Sequence, residues 1–152
     1  RLITRLLTCT FEAALHVFVE MPKRVAFAWN TMISGHAQCG KIESCLTLFK
    51  EMLESEFEPD CFTFSSLMNA SADSSNVVYG RMVHAVMVKN GWDSASEAKN
   101  SVLSFYAKVG CRDDAMRELE SIEVMTQVSW NSVIDACMRI GETEKALEVF
   151  HL

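Results

Sequence analysis

Apolar residues recur at intervals of three and four along the chain, the spacing that places them on one face of an α-helix. A first run of this kind contains Trp29, Ile33 and Ala37. A second run begins after Gly40, with apolar residues at Ile42, Cys45, Leu46, Phe49 and Met52. The pattern predicts two helices, about Phe27–Gln38 and Ile42–Ser55, joined by a tight turn in which Gly40 has a positive φ.

The same helix-turn-helix pattern is repeated. The block Trp29-Asn30-Thr31-Met32-Ile33-Ser34 returns as Trp130-Asn131-Ser132-Val133-Ile134-Asp135, with two related blocks between them. The second residues of the four blocks stand at positions 30, 65, 100 and 131, so the steps are 35, 35 and 31 residues. Ten residues after each of these positions the pattern breaks, at Gly40, Ser75, Gly110 and Gly141.

These repeats divide the chain into units. We predict complete units at 26–60, 61–95 and 96–126, with partial units at 1–25 and 127–152. One pair of helices cannot bury its apolar face alone, so successive pairs must stack on each other. The sequence therefore predicts an all-α fold, an α-solenoid in which the first helix of each unit lines one curved face.

Several motifs in register resemble the pentatricopeptide repeat family. Met21-Pro22-Lys23-Arg24 followed by Trp29-Asn30-Thr31-Met32-Ile33-Ser34-Gly35 is similar to the family's repeat junction. The stretch from Phe62 to Leu67 looks like the family's long variant, and Asn100 to Leu103 with Tyr106 to Gly110 looks like its short variant. The resemblance covers nearly the whole chain, and its unit order is that of the alternating subclass of plant organelles, called PLS.

The resemblance implies sequence-specific binding of single-stranded RNA, with one base read per repeat by two or three side chains. The base-reading residues it implies are Asn30, Ser65, Asn100 and Asn131 within the units, and Asp60 and Thr126 at unit ends. Each of the first four can both donate and accept a hydrogen bond. Asn30 with Asp60 resembles the family's pair for uracil, and Asn100 with Thr126 suggests a pyrimidine.

Three residues before each reading position, the family has an apolar residue that packs against the base. Here that place is taken by Phe27, Phe62 and Val128, whereas Glu97 departs from the pattern in the third unit. Eleven residues further on, about three helical turns, the same helix face returns. At that place Lys108 and Arg139 are candidate phosphate contacts, and Asp73 would oppose one.

The composition alone argues less clearly for RNA. The formal net charge is −6, whereas nucleic-acid-binding domains usually carry a basic patch. The six cysteines form no CxxC pair and no zinc-ligand spacing, so we expect buried thiols rather than disulfides or a metal site. No catalytic motif is complete, and we expect neither an enzyme nor a cofactor.

A protein-binding helical-repeat scaffold is the alternative function, because tetratricopeptide arrays share the paired-helix architecture. Against it stand the alternating unit lengths and the recurrent asparagine at the reading position. The resemblance implies a location in a mitochondrion or chloroplast and a role as a targeting module in RNA processing or editing, with partners among RNA-processing or editing proteins. Since the chain starts at Arg1, we expect it to be a fragment without its targeting segment.

Overall fold

The computed structural model describes residues 13–21, 25–122 and 126–150. The predicted partial units 1–25 and 127–152 therefore extend beyond the described residues. Helix α1 covers residues 13–20 within the described range. The helices that follow are α2 (Ala26–Gln38), α3 (Ile42–Leu53), α4 (Cys61–Asp73), α5 (Val77–Asn90), α6 (Ser96–Lys108), α7 (Arg112–Glu120), α8 (Gln127–Ile140) and α9 (Thr143–Phe150), with a short 3₁₀ turn at Trp92–Ser94.

The all-α prediction is confirmed: the described residues contain helices and turns and no strand. The helices predicted at Phe27–Gln38 and Ile42–Ser55 are present as α2 and α3, but α3 ends earlier, at Leu53. Just beyond this end, the Ser55 hydroxyl donates to the Met52 carbonyl over 2.6 Å. A serine that bonds the backbone locally in this way competes with further helical hydrogen bonding.

Four turns join the two helices of a pair, and all four have the same geometry. The residue at each predicted break has a positive φ: 69° at Gly40, 52° at Ser75, 74° at Gly110 and 79° at Gly141. The N–H of the next residue donates to a carbonyl five residues earlier, as from Lys41 to His36 and from Cys111 to Tyr106. This is the bond of a Schellman cap, which satisfies a carbonyl left open at the helix end.

The helices form two layers. In one layer α2, α4, α6 and α8 pack side by side, each against the next, and in the other α3, α5, α7 and α9 each pack against the first helix of their own pair. The first layer buries the same position of four units, at Met32, Leu67, Val102 and Val133. The predicted α-solenoid is therefore confirmed, and the first helices share one face.

The contact between α5 and α6 depends on a glycine. A Cβ atom at Gly80 would lie 2.0 Å from Cζ of Phe105, so no side chain fits there without moving that buried ring. Gly80 occupies the small-residue position that Cys45 and Ala115, both fully buried, occupy in other units. A small residue at this position lets the second helix of a pair approach its neighbour closely.

Ionic contacts join the second helices of the later units. Arg81 on α5 bonds Asp114 on α7 over 2.6 Å, and Arg112 on α7 bonds Glu142 in the turn before α9. His84 on α5 lies 3.4 Å from the Glu118 carboxylate. Burial raises the pKa of Glu118 above its ordinary value, although His84 opposes that shift.

The cysteines within the described residues are free thiols. The expectation of buried thiols is right for Cys45 and Cys137, and burial raises the pKa of Cys45 to about 11. It is wrong for Cys39, which is exposed because it lies at the C-cap of α2, where the chain turns through solvent. The sixth cysteine, Cys9, lies outside the described residues.

Candidate nucleic-acid interface

Two clefts open on the face formed by the first helices, and both contain predicted base-reading residues. The first has a volume of about 500 Å³ and is lined by Asn30, with Phe27 and Phe62 among its other residues. The second has a volume of about 390 Å³ and is lined by Ser65 and Asn100, with Phe62 and Val128 among its other residues. The structure thus brings each of these polar residues together with the apolar side chains predicted to pack against a base.

The predicted base-packing residues are exposed although they are large and apolar. Phe27 is 80% exposed, Phe62 is 71% exposed and Val128 is 63% exposed. Phe62 borders both clefts, whereas Glu97, also exposed, lines the second cleft at the place where the other units have an apolar side chain. Solvent-exposed aromatic faces at regular spacing can stack on flat ligands such as nucleobases.

At the first junction, where unit 26–60 meets unit 61–95, the side chain of Asn30 forms hydrogen bonds with Asp60 and Thr63. Its Nδ2 donates to both carboxylate oxygens of Asp60, over 3.0 and 2.9 Å. Its Oδ1 accepts from the hydroxyl of Thr63 over 2.5 Å. Asp60 is also the N-cap residue of α4, where its side chain accepts from the backbone N–H groups of Phe62 and Thr63. The same carboxylate therefore caps α4 and positions Asn30.

The third junction is built differently. Asn100 is buried, and its Nδ2 donates to the Ser129 hydroxyl over 3.0 Å. Thr126 caps α8 by accepting from Ser129 N–H, and the two hydroxyl groups lie 2.9 Å apart. Ser129 thus stands between the two residues that were predicted to act as a pair, and Oδ1 of Asn100 has no hydrogen-bond partner among the described residues.

The second junction lacks such a polar contact. Ala95 stands at the N-cap of α6, which has no side-chain cap, and Ala98 occupies the place of Thr63 and Ser129. Ser65 is half-buried and lines the second cleft. In the last unit Asn131 is exposed.

The two predicted phosphate contacts differ in their surroundings. Lys108 is exposed at the end of α6. Arg139 on α8 bonds Asp135 over 2.7 Å, and that hydrogen bond raises the pKa of the guanidinium. Part of the positive charge of Arg139 is therefore neutralised within its own helix, whereas Lys108 keeps its charge toward solvent.

Sequence reasoning missed Thr63 and Ser129. Both are the third residue of a first helix, and both contact the asparagine of the preceding unit. A signal was present, because an N-cap residue followed three positions later by a polar side chain marks a capping box, which α4 has in full. That signal predicts a helix start but not the contact across the junction.

Neither a metal site nor a membrane segment is found in the part of the chain that the structure describes. No group of three or more histidine, cysteine, aspartate or glutamate side chains could hold a metal ion there. No described helix has the length and apolar composition required to cross a bilayer.

Comparisons with known proteins agree with this architecture. Residues 24–73 match the model of the PPR repeat family, and residues 128–152 match the PPR repeat model. A mitochondrial pentatricopeptide repeat-containing protein of Arabidopsis thaliana is 88% identical over 123 residues, which are 80% of this chain and 20% of that protein. A chloroplastic one is 34% identical over 143 residues, 93% of this chain and 27% of that protein.

Solved structures show the same fold. The pentatricopeptide repeat protein PPR10 from maize matches with a TM-score of 0.74 at 16% identity, covering 95% of this chain and 20% of that chain. PPR10 in complex with an 18-nt psaJ RNA element matches with a TM-score of 0.74 at 18% identity, covering 95% of this chain and 21% of that chain. The chain spans about a fifth to a quarter of the length of the curated relatives described above. Their locations confirm the predicted organellar location, mitochondrion or chloroplast.

Proposed function

The chain belongs to the pentatricopeptide repeat family, and from that premise we propose that it binds single-stranded RNA along the face of α2, α4, α6 and α8. Each repeat contributes one base-reading side chain, at Asn30, Ser65, Asn100 and Asn131. Asp60 and Thr126 complete the reading of the bases at Asn30 and Asn100. The relative PPR10, solved with RNA, supports this proposal.

The observation that carries the proposal is the pairing of polar and apolar groups in the two clefts. A nucleobase has a flat apolar face and a polar edge, so a site for it needs a stacking surface beside a hydrogen-bonding group. Phe27 and Phe62 line the first cleft together with Asn30, and Phe62 and Val128 line the second together with Asn100. Stacking contributes about 1–3 kcal/mol per base.

Electrostatic attraction plays a smaller part in this binding. The chain has a net charge of −6, and on the proposed face Lys108 is exposed while Arg139 is paired with Asp135. Few phosphate contacts mean a weak dependence of affinity on salt, because each contact releases a bound counterion. The repeats of this chain therefore bind RNA mainly through its bases.

In the whole protein this array serves as a targeting module for organellar RNA processing or editing. The residues assigned here bind and orient RNA, and none of them acts as a nucleophile or a general base. A chemical step is then supplied by another domain or by an RNA-processing or editing protein. The units proposed are 26–60, 61–95 and 96–126, with partial units on either side, in the PLS order.

The experiment that tests this function is selection of RNA from a randomised single-stranded pool by the 152-residue chain, followed by titration of the selected sequences. We expect enrichment of uracil at one position, and loss of that enrichment when Asn30 and Asp60 are replaced together by alanine. An unchanged base preference in the double variant would show that these residues do not read a base.

A matched control separates base reading from general damage to the fold. Glu51 on α3 and Glu54 at the C-cap of that helix are exposed and belong to the other layer. Their double replacement by alanine should leave the selected sequence unchanged. If the unaltered chain enriches no RNA sequence and binds peptides instead, the scaffold function is the correct one.

A further inference from the structure

Asn30 and Asn100 occupy the same position in their units, yet the hydroxyl group beside each contacts the opposite end of the amide. Thr63 donates to Oδ1 of Asn30 over 2.5 Å. At the other junction, Nδ2 of Asn100 donates to Ser129 over 3.0 Å. Asn30 therefore turns its Oδ1 toward the hydroxyl of the next unit, whereas Asn100 turns its Nδ2 toward it. The amide atom that remains for a ligand differs accordingly between the two asparagines.

The residue at the unit end explains the difference. A carboxylate only accepts hydrogen bonds, so Asp60 requires that Nδ2 of Asn30 face it, which leaves Oδ1 for Thr63. Thr126 imposes no such direction, because a hydroxyl both donates and accepts. It lies 2.9 Å from the Ser129 hydroxyl, which in turn receives the N–H of Asn100.

The oxygen of Asn100 is consequently an unused acceptor. Asn100 is only 5% exposed, and its Oδ1 is buried without a hydrogen-bond partner among the described residues. Asn100 lines the second cleft together with Ser65 and Val128. A buried acceptor in this state gains free energy when a ligand brings a donor to it.

The nitrogen of Asn30, in contrast, keeps a donor. The two carboxylate oxygens of Asp60 are close neighbours and lie at 3.0 and 2.9 Å from Nδ2, so one N–H group serves both. The second N–H has no acceptor among the hydrogen bonds described, and Asn30 lines the first cleft. The same amino acid thus offers a donor at one junction and an acceptor at the other.

We propose that Thr63 and Ser129 are positioning residues for base recognition, which hold the amide of the preceding asparagine by a hydrogen bond across the junction, in the direction that the unit-end residue allows. Ser129 leaves Oδ1 of Asn100 for a base with an exocyclic amine, such as cytosine or adenine. Thr63 and Asp60 leave N–H of Asn30 for a base with a carbonyl at that place, such as uracil. This inference rests on the proposed RNA-binding function.

The second junction shows what is absent when this hydroxyl is missing. Ala98 replaces it there, and Ser65 has no hydrogen bond to a residue of the next unit among the contacts described. A serine hydroxyl that is free to rotate can donate to one base and accept from another. The base at Ser65 is therefore selected less strictly than the bases at the two asparagines.

Ser129→Ala in the 152-residue chain tests the proposal, with Ser129→Thr as the conservative variant. The probes are four single-stranded RNAs that differ only at the nucleotide where Asn100→Ala abolishes base preference. The unaltered chain should bind the cytosine probe about threefold to tenfold more tightly than the uracil probe, the worth of one hydrogen bond. Ser129→Ala should bring this ratio to about one, and Ser129→Thr should restore it.

The ratio distinguishes positioning from a purely structural role. If Ser129→Ala weakens binding of all four RNAs by the same factor and the ratio persists, the proposal is wrong. Circular dichroism establishes that the variant is folded, and if it is not, Thr63→Val gives the second test, because valine keeps the shape of threonine. Thr63→Val should reduce the preference for uracil at the nucleotide of Asn30, because Asp60 still directs Nδ2 but Oδ1 loses the hydroxyl that holds it. An unchanged preference overturns the proposal.

Failure of the proposed function has a separate signature. If the unaltered chain binds none of the four RNAs, RNA binding itself is wrong and this inference falls with it. If the unaltered chain binds with a base preference that Ser129→Ala and Thr63→Val leave intact, RNA binding stands and only the positioning role is wrong.

Discussion

The first and third junctions between units begin with the same asparagine and end with different hydrogen-bond networks. At the first, Asp60 accepts from Asn30 and also caps α4, so one carboxylate fixes the direction of every bond around it. At the third, Thr126 and Ser129 are hydroxyl groups, and Asn100 keeps an unused oxygen. The comparison teaches that a reading residue is defined by its neighbours across the junction as much as by its own side chain.

The largest effect expected is that of Phe62→Ala, which removes the side chain that both clefts share. Affinity for a selected RNA should fall by about 1–3 kcal/mol, the contribution of stacking on one base. Because Phe62 is 71% exposed, the stability of the fold should change little. Fluorescence anisotropy with labelled RNA and a thermal melt measure the two quantities.

The control for Phe62→Ala is Val88→Ala, since Val88 is an exposed apolar residue of α5, in the other layer. It should leave RNA affinity unchanged. Equal losses in both variants would mean that the clefts do not hold the bases.

A smaller effect is expected on stability when the two caps are removed. Asp60→Ala should lower the free energy of unfolding by about 0.5–2 kcal/mol, because two backbone N–H groups at the start of α4 lose their acceptor. Thr126→Ala should cost less within that range, since Thr126 accepts from one backbone N–H only. Urea unfolding monitored by circular dichroism gives both values.

Glu58→Ala serves as the control for the caps, because Glu58 is an exposed loop residue two positions before Asp60. Its effect should stay within about 0.5 kcal/mol. A larger loss for Thr126→Ala than for Asp60→Ala would contradict the capping roles assigned here.

The substitution Thr126→Asp should convert the third junction into a copy of the first. A carboxylate at that place would require Nδ2 of Asn100 to face it, so Oδ1 would turn to Ser129. The preference at this nucleotide should then change from cytosine to uracil, by about threefold to tenfold in relative affinity. The four probe RNAs measure this directly, and a preference that still favours cytosine would rule out the directional argument.

The smallest effect concerns charge. At the equivalent place on the first helices, the first unit has Gln38 and the third has Lys108. Lys108→Ala should reduce the slope of log affinity against log salt by about 0.7, the value for one phosphate contact on a single strand. Arg139→Ala should reduce it less, because Arg139 is paired with Asp135.

Lys89→Ala on α5 is the matched control for Lys108, being an exposed lysine of the other layer, and its salt slope should equal that of the unaltered chain. Slopes that are the same for Lys108→Ala and the control would remove Lys108 from the interface.

Much of the fold could be predicted from the sequence, because it follows from repetition. The apolar spacing located α2 and α3 to within a few residues, and the break residues Gly40, Ser75, Gly110 and Gly141 all adopt the positive φ of a helix cap. Four copies of one pattern exclude far more alternative helix boundaries and folds than a single copy does. The end of α3 at Leu53 was missed by two residues, because apolar spacing locates a helix but not its last turn.

The candidate site was less predictable. The repeat frame pairs Asn30 with Asp60 and puts Phe27 and Phe62 at the base-packing positions, but it predicts neither the hydrogen bond between Asn30 and Asp60 nor the exposure of the two rings. Nor does it predict the roles of Thr63 and Ser129, because they arise from how one helix pair sits on the next. Residue spacing carries no information about which end of an amide faces a neighbouring hydroxyl.

The shared turn geometry has a consequence for how the molecule comes apart. Each helix pair is closed by its own backbone bond, such as those of Lys41, Asn76 and Cys111, and among the described residues each first helix packs mainly on its own and adjacent units. We therefore expect the repeats at the two ends of the array to unfold before the central repeats, rather than all repeats together. Amide protons of central α4 and α6 should therefore exchange with solvent more slowly than those of α2 and α8. Bound RNA that spans the units should reduce this difference in exchange rate between the central and the outer helices.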